Sequence, residues 1–298
     1  MNGWIICNGA LKIGKMTKLA ERLQAVAGEK GIALSIIKNN EIFPYINEAG
    51  EMQIKTIFPV SKPEFVIFWD KDIALAEYLE KLGLRLFNRS VAIAVCDDKA
   101  KMHIALAEKG IAMPKTIVAP LTFYEQDLSE DYLREAEKQL GFPMIIKEVC
   151  GSFGMQVYQV NDRQELVQKI SELTNKNFIL QEMIKSSYGK DIRVNIIGDQ
   201  VIGAMLRENL SDFRANITLG GKATPIQLND EQKKLALQAH HILGLDFSGV
   251  DLLFSEDASP ILCEVNSNVN FLSFEVATGI DFAGQLIDYV ISEMKCRD

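Results

Sequence analysis

Cysteine is scarce in this chain, and its placement excludes two classes of protein. The 298 residues contain five cysteines, and no two of them form a Cys-x-x-Cys pair. This distribution excludes a disulfide framework and a zinc site of the usual spacing, and it is typical of a reducing cytosol. Most of the five are therefore expected to be small buried hydrophobic residues. They are Cys7, Cys96, Cys150, Cys263 and Cys296.

Long apolar runs and an excess of basic charge are also missing. No run approaches the ~18 apolar residues that span a bilayer. The opening Trp4–Cys7 strand and Asn8-Gly9 turn lack the basic start and longer apolar core of a signal peptide. The net charge of −8 excludes a nucleic-acid binder that depends on a global basic field. We therefore expect a cytoplasmic protein that contacts no membrane and binds no nucleic acid directly.

Two familiar nucleotide-binding fingerprints are absent. The segment from Asn8 to Gly14 contains only a loose glycine pair in place of Gly-x-Gly-x-x-Gly, and no Gly-Lys-Ser or Gly-Lys-Thr occurs. A dinucleotide-dependent dehydrogenase is therefore disfavoured. The three histidines, His103, His240 and His241, lie on predicted helices. Adjacent residues do not share a helix face, so we expect structural roles rather than a metal site.

The first 90 residues alternate between strands and helices. The run Phe65–Trp69 is wholly apolar, as expected of a strand buried on both faces. The βαβα order predicts a small, mostly parallel sheet with helices on both faces. Further strands are predicted at Trp4–Cys7, Ala33–Lys38 and Leu84–Phe87, and helices at Met16–Lys30 and Asp72–Leu82.

A joint between domains is predicted at Asn88–Asp98, and an α+β unit follows it. Strands dominate after Asp191, with a loop predicted at Ser211–Lys222. Helices are predicted at Asp98–Lys109, Ser129–Leu140, Asp162–Leu173, Asn229–Leu243 and Asp281–Met294. Capping-box spacing at Asp162 and Glu165, and again at Asn229 and Gln232, supports two of these starts. Strands are predicted at Lys115–Val118, Val157–Val160, Phe178–Glu182, Asp191–Ile197 and Gln200–Leu206, and a turn followed by a strand is predicted at Phe142–Lys147.

The most informative stretch is a predicted hairpin near the C-terminus. Two apolar runs, Gly249–Phe254 and Ile261–Asn266, flank a turn, and their strongly polar residues are Asp251, Glu264 and Asn266. Glu264 and Asn266 are two residues apart, so they share a strand face, and the partner strand can bring Asp251 beside them. Two carboxylates and an amide oxygen suit Mg²⁺ or Mn²⁺, which predicts a nucleoside triphosphate nearby. The alternative is an acidic edge strand that binds nothing.

A glycine loop follows another predicted strand. Lys147 ends that strand, and Gly151-Ser152-Phe153-Gly154 comes soon after it. Such a loop can present backbone N–H groups to phosphates, and a lysine can add a point charge. Lys99, on a predicted helix, could supply a second charge. The alternative is a surface lysine beside an ordinary hairpin tip.

Two further segments are candidates for binding. Gln181-Glu182-Met183-Ile184 ends an apolar strand at a connector, where backbone groups can hydrogen-bond adenine and the glutamate can accept from the adenine amino group or the ribose. Arg207 and Arg214 lead into a glycine-rich connector, a kind of segment that often carries binding groups. Alternatively, these arginines pair with surface acids such as Glu208 and Asp212.

Taken together, these motifs resemble the ATP-grasp superfamily, and within it the RimK-like branch of glutamate and amino-acid ligases. The resemblance covers residues 90–298, and the first segment fits only loosely, as the variable N-terminal domain. The motifs in order are Lys99, Lys147 with the glycine loop, Gln181–Ile184, Gly189–Arg193, Asp212–Asn216, Gly220-Gly221, Gly249–Asp251 and Glu264–Asn266.

The resemblance implies an α/β and α+β chain with the ATP-grasp fold. It implies an N-terminal α/β domain at residues 1–90, a central lid subdomain at 91–184 and a C-terminal subdomain with the metal site at 185–298. ATP would lie between the two α+β units together with Mg²⁺ or Mn²⁺, two ions in all.

The resemblance also implies roles for individual residues. Those expected at the nucleotide are Lys99, Lys147, the loop from Gly151 to Met155, Gln181, Glu182, Met183, Ile184, Lys190 and Asp191. Those expected toward the phosphates or the carboxylate substrate are Arg193, Arg207, Arg214 and Asn216. Those expected to bind metal are Asp251, Glu264 and Asn266.

The implied activity is ATP-dependent joining of a carboxylate to an amine through an acyl phosphate, with release of ADP and phosphate. An amino acid such as glutamate would be added to a peptide or small-molecule carboxylate. The alternatives are a carboxylate–thiol ligase, a kinase and a non-catalytic ATP-binding regulatory module. Relatives commonly form homo-oligomers, so one is possible here.

One segment departs from the family pattern. The Glu-x-Asn motif of the glutamate ligases typically continues with a small residue, proline and glycine, whereas here Asn266 is followed by Ser267-Asn268-Val269-Asn270-Phe271. This segment borders the substrate site, which leaves open whether glutamate is used. Phe271 and Phe274 could line a pocket or belong to the core.

Overall fold

The computed structural model describes residues 1–11, 14–121, 128–151, 154–173 and 175–296. The strands are β1 Asn2–Cys7, β2 Ala33–Lys38, β3 Ile42–Ile46, β4 Met52–Thr56, β5 Phe65–Trp69, β6 Arg85–Phe87, β7 Thr116–Val118, β8 Met144–Glu148, β9 Val157–Val160, β10 Phe178–Glu182, β11 Lys190–Ile197, β12 Gln200–Glu208, β13 Lys222–Ile226, β14 Phe247–Phe254 and β15 Pro260–Asn266. The helices are α1 Gly14–Glu29, α2 Ile73–Lys81, α3 Ser90–Asp97, α4 Lys99–Leu106, α5 Glu130–Leu140, α6 Arg163–Glu172, α7 Asp230–Ile242, α8 Phe271–Thr278 and α9 Phe282–Lys295.

The first sheet is parallel, in the order β2-β1-β5-β6. Alternate residues of its central strands point to opposite faces. Ile5 and Ile67 join the core beneath α1, whereas Ile6 and Phe68 join the core beneath α2. This confirms the predicted sheet with helices on both faces, and it places the carboxyl ends of β1 and β5 side by side.

The second sheet is antiparallel, in the order β7-β10-β8-β9, and α5 and α6 pack on it. The Asp162 carboxylate caps α6 by accepting from the backbone N–H of Glu165 at 2.9 Å. The carboxylate of Glu165 accepts from Asn161 N at 2.8 Å, so the predicted reciprocal box at Asp162 is wrong in its second half. The box at Asn229 and Gln232 is confirmed in full.

The third sheet is antiparallel, in the order β13-β12-β11-β14-β15. One face packs against α7, and the other shares a core with α8, α9, α1 and the first sheet. Trp69 of β5 stacks on Phe247 of β14 with ring centroids 4.9 Å apart. The first and third sheets therefore share one continuous core, and the division at residues 90/91 and 184/185 stays a prediction.

Four elements differ from the sequence prediction. The expected joint at Asn88–Asp98 contains α3, and the expected loop at Ser211–Lys222 runs into β13. The hairpin β3–β4 was not predicted, because β3 contains Pro44 and is mostly exposed, so it lacks a buried periodic face. Helix α8 was not predicted either, since its apolar residues do not fall on a single face.

The histidines and cysteines have mixed outcomes. His240 is buried with its Nδ1 2.7 Å from Ser248 Oγ, and His241 pairs with Asp199 at 3.0 Å.

Among the cysteines only Cys7 and Cys96 are buried, so the expectation that most are buried is wrong. None of the described helices is long and apolar enough to cross a membrane, and the cytoplasmic location stays a prediction.

Phe271→Ala is expected to destabilise the protein by about 3–5 kcal/mol, as for other buried Phe→Ala changes. The ring is fully buried, stacks on Phe282 at 5.2 Å and meets the edge of Trp69 at 5.6 Å, so Phe271 belongs to the core. Urea unfolding measures the change, with Leu210→Ala, at a position 98% exposed, as the control. A loss no larger than that of the control would refute the shared core.

Candidate active site

A cleft of about 970 Å³ collects residues from all three larger sheets. Every residue predicted at a nucleotide, metal or substrate position lines this cleft, apart from Ser152 and Phe153, which lie outside the described residues. Residues far apart in the sequence therefore meet in one place. The roles proposed for them rest on the local geometry that follows.

Two buried lysines face the cleft without a carboxylate partner. Lys147 on β8 is 7% exposed and Lys99 at the start of α4 is 6% exposed, and neither forms an ion pair with any described residue. The Lys147 ammonium contacts Cys263 Sγ at 3.8 Å. Buried cations without a counter-ion are costly, so this part of the cleft favours an anion.

The neighbouring histidine responds to the same charges. Burial, together with the positive charges of Lys147 and Lys99, lowers the pKa of His103 to about 4. His103 Nε2 lies 2.7 Å from the side-chain nitrogen of Gln181. A neutral imidazole therefore holds the end of β10 in place and adds no charge to the cleft.

The strand β10 carries the predicted adenine segment. The Gln181 side chain is directed inward, where it donates to Thr116 Oγ1 at 2.8 Å. The Glu182 carboxylate accepts from the backbone N–H of Lys115 at 2.6 Å. Met183 and Ile184 continue along the cleft wall. The two polar side chains therefore anchor the strand end, which leaves the connector to present backbone groups.

The predicted metal hairpin forms as expected in its pairing. Asp251 of β14 lies opposite Glu264 of β15, and Gly249 lies opposite Asn266. The side chain of Asn266 donates to Gly249 O at 3.4 Å, so its carbonyl oxygen is not used in that bond. Glu264 makes no ion pair with any described residue. Glu264 and Asn266 line the cleft, and these contacts leave their side-chain oxygens available for a cation.

Asp251 is held in a buried network of two arginines and two aspartates. Its carboxylate accepts from Arg193, with Arg193 Nη2 to Oδ2 at 2.7 Å, and lies 3.0 Å from Arg207 Nη2. Arg207 also donates to both oxygens of Asp191 at 2.6 Å. Burial raises the pKa of the Asp251 carboxyl, but the two guanidinium groups outweigh it and hold that pKa below its usual value. The ionised form is therefore favoured.

This network decides between the alternatives for Arg207. Its partners are Asp191 and Asp251, whereas Glu208 pairs with Lys190 at 3.0 Å. The surface ion pair with Glu208 is therefore wrong. Burial lowers the pKa of the Arg207 guanidinium, but Asp191 and Asp251 outweigh this and raise it above its usual value.

Arg214 joins the glycine loop to the connector after β12. It pairs with Asp212 at 2.8 Å, as the surface alternative predicted, and it also donates to Gly154 O at 2.6 Å and to Val157 O at 3.3 Å. Gly154 has a φ of +73°, and a Cβ there would lie 2.8 Å from Asn216 Oδ1. The close approach of loop and connector therefore requires glycine at this position.

The donor set fits a hard divalent cation. Asp251 and Glu264 supply carboxylate oxygens and Asn266 supplies an amide oxygen, which are ligands that Mg²⁺ prefers. A carboxylate has about four lone-pair positions, so Asp251 can accept from arginines and still bind a cation. No three His, Cys, Asp or Glu residues of the described chain cluster as a metal site. The third candidate ligand here is an asparagine, which is outside that set of residue types.

Sequence reasoning missed the part of the cleft formed by the first sheet. Asn8, Asp70 and Lys71 line the cleft from the carboxyl ends of β1 and β5, and Asn268 lies beside Asp70, to whose backbone carbonyl it donates. The predicted strands Trp4–Cys7 and Phe65–Trp69 end just before Asn8 and Asp70, and this was a usable signal. Ligands of parallel sheets bind beyond the carboxyl ends of adjacent strands where the connections diverge.

The comparisons with known proteins agree with this geometry. Residues 96–290 match the RimK-like ATP-grasp domain. The chain belongs to the RimK-like ATP-grasp family. The predicted family, ATP-grasp fold and ligase class are thereby confirmed.

Two curated relatives in this family carry functional names. Human N-acetylaspartylglutamate synthase A is 38% identical over 282 residues, which cover 93% of this chain and 69% of that protein. The probable alpha-L-glutamate ligase of Maridesulfovibrio salexigens is 36% identical over 220 residues, which cover 73% of this chain and 70% of that protein. Both names refer to glutamate.

Solved structures show the same fold. D-alanine–D-alanine ligase from Bacillus anthracis, complexed with ATP, matches with a TM-score of 0.73 at 19% identity, over 100% of this chain and 98% of that one. The ATP-grasp ligase PsnB, complexed with a phosphomimetic precursor variant, Mg and ADP, matches with a TM-score of 0.68 at 19% identity, over 97% of each chain. At this identity the likeness concerns the fold alone.

Proposed function

We propose that this ATP-grasp carboxylate–amine ligase joins the α-amine of glutamate to a carboxylate of a small molecule or peptide through an acyl phosphate. The observation that carries the proposal is the pair of buried lysines, Lys99 and Lys147, in the same cleft as the carboxylate of Glu264. Within the described part of the chain, neither the lysines nor Glu264 forms an ion pair. This arrangement suits a polyphosphate together with a cation.

The chemistry consists of two displacements. In the first, a carboxylate oxygen of the substrate attacks the γ-phosphorus of ATP, and the bond from that phosphorus to the β-bridging oxygen breaks, which releases ADP. In the second, the lone pair of the amine attacks the acyl carbon, and phosphate leaves with the electrons of the C–O bond as the amine loses a proton. Neither step requires a side-chain nucleophile, because phosphoryl transfer depends mainly on positioning and charge neutralisation.

The side chains have separate roles in this proposal. Lys99 and Lys147 neutralise phosphate oxygens, and backbone N–H groups near Gly151 and Gly154 cover the phosphates. The connector at Met183 and Ile184 presents backbone groups to adenine. Arg193, Arg207, Arg214 and Asn216 line the cleft, and in this proposal they offset the charge that develops on the transferring group. Lys190 and Asp191 line the same wall, near the ribose or the phosphates.

Asp251, Glu264 and Asn266 would hold Mg²⁺, which when bound supplies charge neutralisation at the β- and γ-phosphate oxygens. The presence of Mg with ADP in the PsnB complex supports this choice. Use of Mn²⁺, binding of two ions and assembly into a homo-oligomer stay predictions.

Glutamate is proposed because the names of the two relatives refer to it. The departure from the family pattern after Asn266 is the observation that speaks against glutamate. In that departing segment Ser267 O accepts from Asn88 Nδ2 at 2.9 Å and Phe271 is in the core. The segment therefore forms part of the wall between the cleft and the first sheet. Nothing in the described part of the chain favours the thiol ligase, the kinase or the non-catalytic module.

ADP release by the purified protein tests the proposal. The protein is incubated with ATP, Mg²⁺, a panel of carboxylates and a panel of amino acids, and hydroxylamine is added in a parallel series to trap the acyl phosphate. The expected result is ADP release that depends on a carboxylate, a hydroxamate by mass spectrometry, and the highest amide yield with glutamate. Release that needs no carboxylate, or a phosphorylated product that is stable to hydroxylamine, would contradict it.

A further inference from the structure

The cleft has a polar wall that the proposed function leaves without a role. Asn8 and Asp70 follow the adjacent parallel strands β1 and β5, and Lys18 lies on α1 above the same end of the sheet. Asn268 and Asn270 line the cleft from the segment before α8. These residues come from the two ends of the chain, and they line the same cleft as β10.

Asp70 has one oxygen that is satisfied and one that is not. Its side chain is 5% exposed, and Oδ1 accepts from Asn8 Nδ2 at 3.1 Å and from the backbone N–H of Lys71 at 2.7 Å. Oδ2 is buried without a hydrogen-bond donor among the described residues. The Lys71 ammonium is directed to Asp97 instead. Asp70 is therefore a buried carboxylate without a cationic partner among the residues that the structure describes.

Asn268 supplies a second acceptor of the same kind. Its Nδ2 donates to the backbone carbonyl of Asp70 at 3.0 Å, and that carbonyl can only accept, which fixes the orientation of the amide. Its Oδ1 is buried and receives no hydrogen bond from a described residue. Buried acceptors without donors cost free energy. Here two such acceptors, Asp70 Oδ2 and Asn268 Oδ1, belong to residues that contact each other in one wall of the cleft.

The chemistry of the reaction identifies the missing donor. ATP and the carboxylate substrate are anions, which a buried carboxylate repels. The amine substrate arrives as an ammonium, which carries a positive charge and three N–H donors. We propose that Asp70 and Asn268 bind the ammonium of the amino acid that supplies the amine. This inference rests on the proposed function and assigns the amino-acid subsite to the first sheet.

Lys18 extends the subsite to a second group of the same molecule. Its side chain is exposed in the cleft and forms no ion pair with a described residue. A cation on the same wall as a carboxylate suits a zwitterion, so Lys18 binds a carboxylate of the amino acid. The wall thereby distinguishes an α-amino acid from a simple amine.

Asp70→Asn tests the subsite, because it keeps the shape of the side chain and removes its charge. The KM for glutamate is expected to rise about 10- to 100-fold on loss of a charge-assisted hydrogen bond. The KM for ATP is expected to stay unchanged, since the first displacement needs no amine. Asp199→Asn, the same change at a surface carboxylate paired with His241, is the control.

A second variant and a binding measurement make the result decisive. Lys18→Ala changes an exposed side chain, so it is expected to fold and to raise the KM for glutamate about tenfold. Calorimetric titration of glutamate into the protein with ADP and Mg²⁺ should show weaker binding for both variants. An unchanged glutamate KM and affinity in Asp70→Asn would overturn the subsite, whereas wild-type hydroxamate formation would still support the proposed function. Failure of the wild type to form hydroxamate or release ADP would overturn both.

Discussion

Asp251→Asn is expected to lower Mg²⁺-dependent turnover by about 10³-fold or more, the scale on which metal and electrostatic stabilisation act in transition states. The carboxylate is a proposed metal ligand and also the partner of Arg193 and Arg207. Removing its charge leaves two buried guanidinium groups short of a counter-charge, which costs about 3–5 kcal/mol of folding stability. ADP release and thermal unfolding, measured on the same preparation, report the two effects.

Glu264→Gln separates metal binding from stability. Glu264 lies opposite Asp251 but has no ion pair with a described residue, so its replacement removes a candidate ligand without exposing an unpaired charge. We expect a loss of turnover of about 10²–10³-fold with a melting temperature close to that of Asp199→Asn. If Glu264→Gln keeps full activity at limiting Mg²⁺, the metal assignment is wrong, whatever Asp251→Asn does.

Lys147→Ala is expected to reduce kcat/KM for ATP by about 10²–10³-fold, because one preorganised positive charge at the phosphates is lost. The ammonium is buried and has no ion pair with any residue that the structure describes, so its removal also relieves a desolvation cost, and the protein should be no less stable than the wild type. Few active-site changes combine a large loss of activity with unchanged stability, which makes the pair of measurements informative.

The matched control for this change is Lys138→Ala, on the exposed face of α5, where the lysine pairs with Glu135. It is expected to leave ATP use and stability unchanged. Equal ATP affinity in Lys147→Ala and Lys138→Ala would remove Lys147 from the nucleotide site. A melting temperature well below that of the control would show instead that the ammonium has a partner that stabilises the fold.

The sequence by itself determined where the buried strands lie and which residues are candidate metal ligands. The wholly apolar strand Phe65–Trp69 and the strand Phe178–Glu182, which begins with three apolar residues, were predicted with the bounds that the structure has. Such buried apolar runs can be recognised without tertiary context. The pairing of Asp251 with Glu264 followed from the length of one hairpin. Local spacing determines both features, so the candidate metal set and the family were predictable.

Only the tertiary structure decided which charges neutralise each other. Arg207 pairs with Asp191 and Asp251, which lie on the two neighbouring strands β11 and β14. It does not pair with Glu208, its neighbour in sequence, because successive side chains of a strand point to opposite faces. The same holds for Asp70 and Asn268, which are 198 residues apart and meet only when the first and third sheets pack together. Such contacts depend on strand register and sheet packing, which short-range periodicity does not encode.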